Sequence, residues 1–136
     1  KMSKSELSDL SRINLTDDKD QIINKIKKAK TDTLPMPNNK KDLNERLEAQ
    51  NLLGNYTSLN NSTLDTSIKK FANKNFSEFK EELSELLVNK ILPISEEIKR
   101  LLNDQTYLDS ILLDGVEKAN KIASKKIINI KELVGF

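Results

Sequence analysis

The chain has 136 residues, and 23 lysine and arginine residues against 21 aspartate and glutamate residues leave a net charge of only +2. It contains no histidine, cysteine or tryptophan. These absences exclude a thiol nucleophile, a Ser-His-Asp triad, a disulfide framework and a zinc site of the usual nitrogen and sulfur type.

Apolar residues recur at helical spacing along the chain after residue 15, and no stretch alternates with a period of two for long enough to form a strand. The predicted fold class is therefore all-α, as a helical bundle. No apolar run approaches the ~18 residues of a membrane span, so we expect a soluble chain with no membrane partner.

The first predicted helix begins with a capping box formed by Asp17 and Asp20. Its apolar side continues with Ile22, Ile23, Ile26 and Ala29. The segment 31–41 contains Pro35 and Pro37 together with two asparagines, a composition that favours turns over a helix. We predict an exposed loop there.

Further helices are predicted along the rest of the chain. One covers roughly residues 43–58, in which Gly54 is either a weak point or a site of close approach. A short helix runs through Phe71, and a long apolar series then contains Pro93, which predicts a kink or a break into two helices. Asn103-Asp104 ends that series, and the last helix carries apolar residues at spacings of 3, 4, 4, 3 and 4 from Val116 to Val134.

Lys1 to Ser5 read KMSKS, which resembles the signature of class I aminoacyl-tRNA synthetases. Loss of pyrophosphate from ATP builds charge on phosphate oxygens, and positioned cations stabilise that transition state. Lys1 and Lys4 can supply two ammonium groups to one phosphate chain. Ser3 and Ser5 can add hydrogen bonds, and Met2 can fill a small apolar slot. A solvated basic terminus is the alternative interpretation.

Beyond the signature, the chain resembles the bacterial tryptophanyl-tRNA synthetases to its last residue. The segments that carry this resemblance are 11–18 with its LTDD block, 28–32 with its KA-x-TD block, 51–53 with Tyr56, Phe76, Phe79-Lys80, Pro93-Ile94, Tyr107-Leu108, 115–119, 122–123 and 134–136. Glu6-Leu7 departs from the Asp-Pro that more often follows the signature in that family, so we expect a less rigid loop exit here.

The resemblance implies ATP-dependent attachment of L-tryptophan to tRNA(Trp) by a homodimeric cytoplasmic enzyme, which uses ATP with Mg²⁺ and has no tightly bound cofactor. Residues 1–15 would be the KMSKS loop and the end of the catalytic domain, and residues 16–136 the helical anticodon-binding domain. By the same resemblance, Lys1 and Lys4 are catalytic and the whole segment from Lys1 to Ser5 binds ATP. No metal site is predicted in the chain.

Lys1 precedes Met2, whereas a natural start would place methionine first, so we expect a piece of a longer protein. The Rossmann half with its HIGH-type motif would precede the signature in that family, and these residues do not contain it. We therefore expect the chain alone to be inactive. The final helix is expected to pack on that preceding half.

Several lysines are candidates for contact with the RNA backbone: Lys25, Lys28 and Lys30, with Lys27, Lys40 and Lys41 nearby. A solvated helix face is the alternative. Three further lysines, 69, 70 and 74, lie near Phe71 and Phe76 and suggest a stacking platform for anticodon bases. Packing of Phe71 in the core is the favoured alternative. Tyr56 and Tyr107 are predicted to be core aromatics, and the acids at 78, 81, 82 and 85 to form a solvent face.

Two functions remain open from the sequence. The first is the C-terminal part of a tryptophanyl-tRNA synthetase. The second is a free-standing helical module that binds RNA or another protein without catalysis. Both have the same fold class, but they differ in partner.

Overall fold

The computed structural model describes residues 8–135, and within this range it contains six α-helices and one short 3-10 helix. The 3-10 helix is Asp9–Ser11, and the α-helices are α1 Lys19–Lys28, α2 Lys40–Asn44, α3 Leu47–Leu59, α4 Leu64–Phe71, α5 Phe76–Asn103 and α6 Gln105–Val134. No strand occurs between residues 8 and 135, and the all-α prediction is confirmed. None of the described helices combines the length and apolarity needed to cross a membrane.

The described residues divide into two compact units, and the division lies between Glu96 and Glu97. This division does not test the domain boundary predicted between residues 15 and 16, which stays a prediction.

Three aromatic rings form the centre of the core in the first unit. The ring centroid of Phe71 lies 4.8 Å from that of Tyr56 and 4.8 Å from that of Phe79, with interplanar angles of 90° and 82°. Edge-to-face pairs of this kind add about 0.5–1.5 kcal/mol each beyond the burial of their area. The core around them contains Ile22, Ile26, Met36, Leu43, Ala49, Leu52, Leu53, Ile68, Phe76, Leu83 and Leu87. The core assignments of Phe71 and Tyr56 are confirmed.

The segment between α1 and α2 was predicted to be an exposed loop, and this is wrong at its centre. Met36 is only 1% exposed, and Pro37 beside it is also buried. The backbone N–H of Met36 donates to the carbonyl of Lys74 at 2.8 Å, and its carbonyl accepts from the N–H of Asn73 at 3.1 Å. A flexible thioether side chain fills an irregular gap in the core well, so the loop is fixed from its middle.

The boundaries of three elements differ from the prediction. The capping box of α1 uses Asp18 and Gln21, one residue later than expected. Two helices, α2 and α3, replace the single helix predicted over 43–58. A Cβ atom on Gly54 would meet no atom within 4 Å, so the alternative that Gly54 permits close approach of another segment is wrong. The helix α5 continues through Pro93, so a break into two helices is wrong as well. Proline has no N–H to donate, so α5 lacks one backbone hydrogen bond at Pro93, yet helical structure continues on both sides of it.

The second unit consists of the end of α5 and the helix α6. Asp104 caps α6 by accepting a hydrogen bond from the N–H of Tyr107 at 3.0 Å, and Gly135 ends it with a φ of 81°. No residue of α6 is buried, and Tyr107 is 48% exposed. The prediction of Tyr107 as a core aromatic is therefore wrong, because helical spacing shows that a helix has an apolar side but not what covers that side.

The loop between α1 and α2 provides a matched pair of substitutions. We expect Met36→Ala to lower the free energy of unfolding by about 2–5 kcal/mol, because it removes buried atoms and leaves a cavity. Leu34→Ala in the same loop should change it by less than about 0.5 kcal/mol, since Leu34 is 60% exposed. Urea titration followed by circular dichroism measures both values. Equal effects of the two substitutions would show that the loop is not part of the core.

Candidate functional site

The KMSKS signature lies outside the described residues. The catalytic assignment of Lys1 and Lys4 and the ATP-binding assignment of Lys1, Met2, Ser3, Lys4 and Ser5 therefore stay predictions. The described chain begins at Ser8, three residues after the signature ends.

An ion cluster connects this first described segment to α1. The Nζ atom of Lys25 lies 2.6 Å from Oδ2 of Asp17 and 2.6 Å from Oδ2 of Asp9. The side chains of Lys25 and Asp17 are 6% and 5% exposed, whereas that of Asp9 is 51% exposed. Lys25 thus has one buried and one exposed partner. We call these three residues the Lys25 cluster.

Asn14 links the two carboxylates of the Lys25 cluster. Its backbone N–H donates to Oδ2 of Asp17 at 2.9 Å, and its side-chain amide donates to Oδ1 of Asp9 at 3.0 Å. The guanidinium of Arg12 lies 3.1 Å from the same Asp9 oxygen. The segment from Asp9 to Asn14 is therefore tied to Asp17, which precedes α1, and to Lys25 in the last turn of α1.

Contacts within the Lys25 cluster shift the pKa values of Lys25 and Asp9. Burial disfavours the charged form of Lys25, but hydrogen bonds to Asp17 and Asp9 outweigh it and raise the pKa of Lys25 above 10.5. The hydrogen bond from Lys25 is the main cause that lowers the pKa of Asp9 below 3.8. The Asp9 contribution to stability is thus present above its ordinary pKa and lost as the pH falls, whereas that of Lys25 is lost only at strongly alkaline pH.

The three lysines predicted to contact RNA lie in different surroundings. The ammonium of Lys25 is buried and bound by two carboxylates, so we leave it out of any RNA-facing surface. Lys30 is 87% exposed, and its Nζ lies 3.4 Å from a carboxylate oxygen of Glu48. Lys28 is exposed and makes no ion pair within residues 8–135. Of these three lysines, Lys28 and Lys30 have exposed side chains, whereas Lys25 does not.

A groove of about 780 Å³ is lined by residues of α1 and α5, including Lys19, Lys27 and Lys80. The Nζ of Lys80 donates to the carbonyl of Ala29 at 2.6 Å and to that of Lys27 at 3.3 Å. The ammonium of Lys80 thus donates hydrogen bonds to carbonyl groups at the C-terminal end of α1, and its positive charge interacts favourably with the helix dipole. Burial lowers the pKa of Lys80.

A second cleft, of about 850 Å³, brings the segment after the signature together with α1, α3 and α5. Its polar lining includes Arg12, Lys30, Asn51 and Asn55, and the side-chain amide of Asn55 donates to that of Asn51 at 3.1 Å. Sequence reasoning did not select Arg12 or Asn55 for a site, although the i, i+4 spacing of the two asparagines places them on one side of a helix. Within the described part of the chain, no group of three or more acidic side chains is placed to hold a metal ion.

The predicted stacking platform for bases does not form around Phe71. Its ring is completely buried, and Lys70 Nζ lies 5.1 Å from its centroid. The same ammonium donates to the hydroxyl of Tyr56 at 2.7 Å and pairs with Glu82. Glu82 also pairs with Lys74 and is only one-third exposed, so it is not a free part of the solvent face. These lysines stabilise the aromatic core from outside.

Arg46 was missed by sequence reasoning and fixes the loop between α1 and α2. Its Nε donates to Asp32 at 2.8 Å, its Nη1 donates to the carbonyl of Pro35 at 2.6 Å, and its guanidinium lies 5.5 Å from the ring centroid of Phe76. The hydrogen bond from Arg46 is the main cause that lowers the pKa of Asp32. The last residue of the KA-x-TD block, Asp32, therefore binds Arg46 and helps to hold the loop between α1 and α2 in place.

Known proteins similar to this chain agree with one another. A family model described as tRNA synthetases class I (W and Y) matches residues 1–92. Proteins named tryptophan–tRNA ligase match the whole chain, with 47% identity in Agrobacterium fabrum, 44% in Brucella melitensis and 46% in Rickettsia felis. The chain covers 38%, 38% and 41% of the length of these relatives, respectively.

The family match extends from the signature through the Lys25 cluster and the aromatic core into α5. The chain therefore belongs to the class I tRNA synthetases of the tryptophan and tyrosine type.

Proposed function

We propose that this chain is the part of a tryptophan–tRNA ligase that supplies the KMSKS loop and the helical domain that contacts tRNA(Trp). The observation that carries the proposal is the similarity of the whole chain to proteins of that name, with KMSKS at Lys1 to Ser5. The homodimer and the cytoplasmic location implied by the resemblance belong to the same proposal. The all-α fold alone would suit a free-standing module equally well, and no other observation favours that alternative.

In the intact enzyme, the substrates of the first step are L-tryptophan and ATP with Mg²⁺. The tryptophan carboxylate attacks the α-phosphorus, the bond to the bridging oxygen of the β-phosphate breaks, and pyrophosphate leaves. Lys1 and Lys4 meet the charge that grows on the phosphate oxygens, and Ser3 and Ser5 hydrogen-bond to the same chain. In the second step, a terminal ribose hydroxyl of tRNA(Trp) attacks the carbonyl carbon of the tryptophanyl adenylate. The bond between that carbon and the phosphate oxygen breaks, and AMP leaves.

The surface proposed for tRNA contains Lys28, the last residue of α1, and Lys30, two residues beyond it. Both are exposed, and Lys30 is 87% exposed despite its ion pair with Glu48. Ammonium groups at such positions contact phosphates without reading bases, so they contribute affinity rather than sequence specificity.

The catalytic part of the proposal can be tested with a fusion protein. The portion of the Agrobacterium fabrum relative that this chain does not span is joined to Lys1, and tryptophan-dependent ATP–pyrophosphate exchange is measured. We expect exchange by the fusion but not by the 136-residue chain alone. Lys1→Ala or Lys4→Ala should lower kcat by about 10² to 10³, because each removes a cation aimed at developing charge.

Lys90→Ala serves as the control, since Lys90 is an exposed lysine of α5 outside the proposed site. It should leave the exchange rate unchanged. Exchange by the chain alone, or a folded fusion that catalyses none, would refute the proposal.

The RNA-binding part predicts a salt-dependent effect. In the fusion, Lys28→Ala combined with Lys30→Ala should weaken tRNA(Trp) binding. The same double variant should reduce the slope of log K against log salt by about 0.7–0.9 for each phosphate that the protein no longer neutralises. Filter binding at several salt concentrations measures both quantities, and Lys90→Ala again provides the comparison. An unchanged slope in the double variant would place the phosphates elsewhere.

A further inference from the structure

The helix α6 carries a continuous apolar side. From Leu108 to Val134, eight apolar residues recur at steps of three or four, so they share one side of the helix. No residue of α6 is buried, and seven of these eight are exposed. At about 1.5 Å per residue, this apolar side is about 40 Å long. An exposed apolar surface of this extent, bordered by charged residues, is typical of a protein–protein interface.

The spacing of the apolar side is nearly the same in both directions from the sequence position of Lys121. Its residues form four pairs at equal or almost equal sequence distances from that position: Leu108 with Val134, Leu112 with Ile130, Val116 with Ile127, and Ala119 with Ala123. When two identical helices run antiparallel, a two-fold axis relates them, so each residue faces its pair mate in the other copy. The central pair consists of two alanines, and small side chains at a helix contact allow a short distance between the helix axes. The apolar sides of two copies therefore match each other along their whole length.

The charges around the apolar side are divided between the two halves of the helix. Residues 104–117 include four acidic residues and no lysine or arginine. Residues 118–134 include five lysines and a single acidic residue, Glu132. Antiparallel pairing places the acidic half of each copy against the basic half of the other, whereas parallel pairing would place like charges together. Complementary charges of this kind select the partner and fix its orientation.

One ion pair between the copies follows from this arrangement. At about 100° per residue, Asp109 and Lys131 lie along the same edge of the apolar side, and both are exposed. The same edge of each copy meets in an antiparallel pair with a two-fold axis. Asp109 precedes Lys121 by 12 residues and Lys131 follows it by 10, so the carboxylate of one copy faces the ammonium of the other.

We propose that two copies of this chain associate through the apolar side of α6, with the two helices antiparallel and Asp109 of each copy paired with Lys131 of the other. The competing occupant of this side is the part of the synthetase that the chain does not span, on which the resemblance predicts that the final helix packs. We favour a second copy because it both matches the spacing and complements the charges of this side. The inference goes beyond the proposed function and does not depend on it.

The association is tested by sedimentation equilibrium of the 136-residue chain at several concentrations. We expect a reversible dimer. Ala123→Glu places a carboxylate from each copy at the centre of the contact, so the Kd of the dimer should rise at least about tenfold. Ser110→Glu is the matched control, because it adds the same charge on the opposite side of α6, and it should leave the Kd unchanged. Circular dichroism checks that both variants keep the helical content of the wild type.

The orientation is tested with single cysteines, because the chain contains none of its own. A mixture of the Leu112→Cys and Ile130→Cys variants should form a disulfide-linked dimer on oxidation, which is measured on a non-reducing gel. Leu112→Cys alone should not form one. Asp109→Lys and Lys131→Asp should each weaken the dimer, and the two substitutions combined in one chain should restore it.

Three results would overturn the inference. The first is a chain that stays monomeric at every concentration, and the second is an equal Kd for Ala123→Glu and Ser110→Glu. The third is cross-linking of Leu112→Cys with itself as efficient as in the mixture, which would show parallel helices. A monomeric chain is then mixed with the part of the Agrobacterium fabrum relative that it does not span, produced as a separate polypeptide. Binding that Ala123→Glu abolishes would assign the apolar side to that part and not to a second copy.

Discussion

The buried ion pair between Lys25 and Asp17 is the constraint on which the first unit depends. The side chains of Lys25 and Asp17 are only 6% and 5% exposed, so each buried charge requires the other as its ion-pair partner. The backbone N–H of Asn14 donates a further hydrogen bond to the carboxylate of Asp17. Because Asp17 precedes α1 and Lys25 lies within it, the pair fixes the angle at which the chain enters that helix. Asp9 and Asn14 bind the same two residues, so the segment from Asp9 to Asn14 is held by this pair as well.

A second set of polar contacts holds the opposite end of α1. Lys80 of α5 binds the last carbonyls of α1, and Arg46 then fixes the loop that leaves it by binding Asp32 and Pro35. Met36 anchors that loop in the core between these contacts and α2. Side-chain contacts therefore hold α1 and the loop that follows it, and Lys28 and Lys30 of the surface proposed for tRNA lie at the junction between them.

Helical periodicity predicted the fold class and most elements, because apolar spacing records which side of each helix is buried. The same spacing could have located Lys25, since Ile22, Lys25, Ile26 and Ala29 follow the i, i+3, i+4, i+7 pattern of one buried stripe. Because lysine is charged, the sequence alone favoured a surface position for Lys25 instead. Met36 and Arg46 gave no such signal, because their contacts join segments far apart in sequence and depend on tertiary packing. The family resemblance predicted the signature's role, which periodicity cannot address.

The exposed apolar side of α6 has a definite geometry. Its residues from Leu108 to Val134 follow steps of 4, 4, 3, 4, 4, 3 and 4, so the pattern repeats every 11 residues. This corresponds to about 3.67 residues per turn, slightly more than the 3.6 of a straight helix, and an ordinary left-handed coiled coil requires about 3.5. A helix that followed this side along its full length would wind around α6 with a right-handed twist.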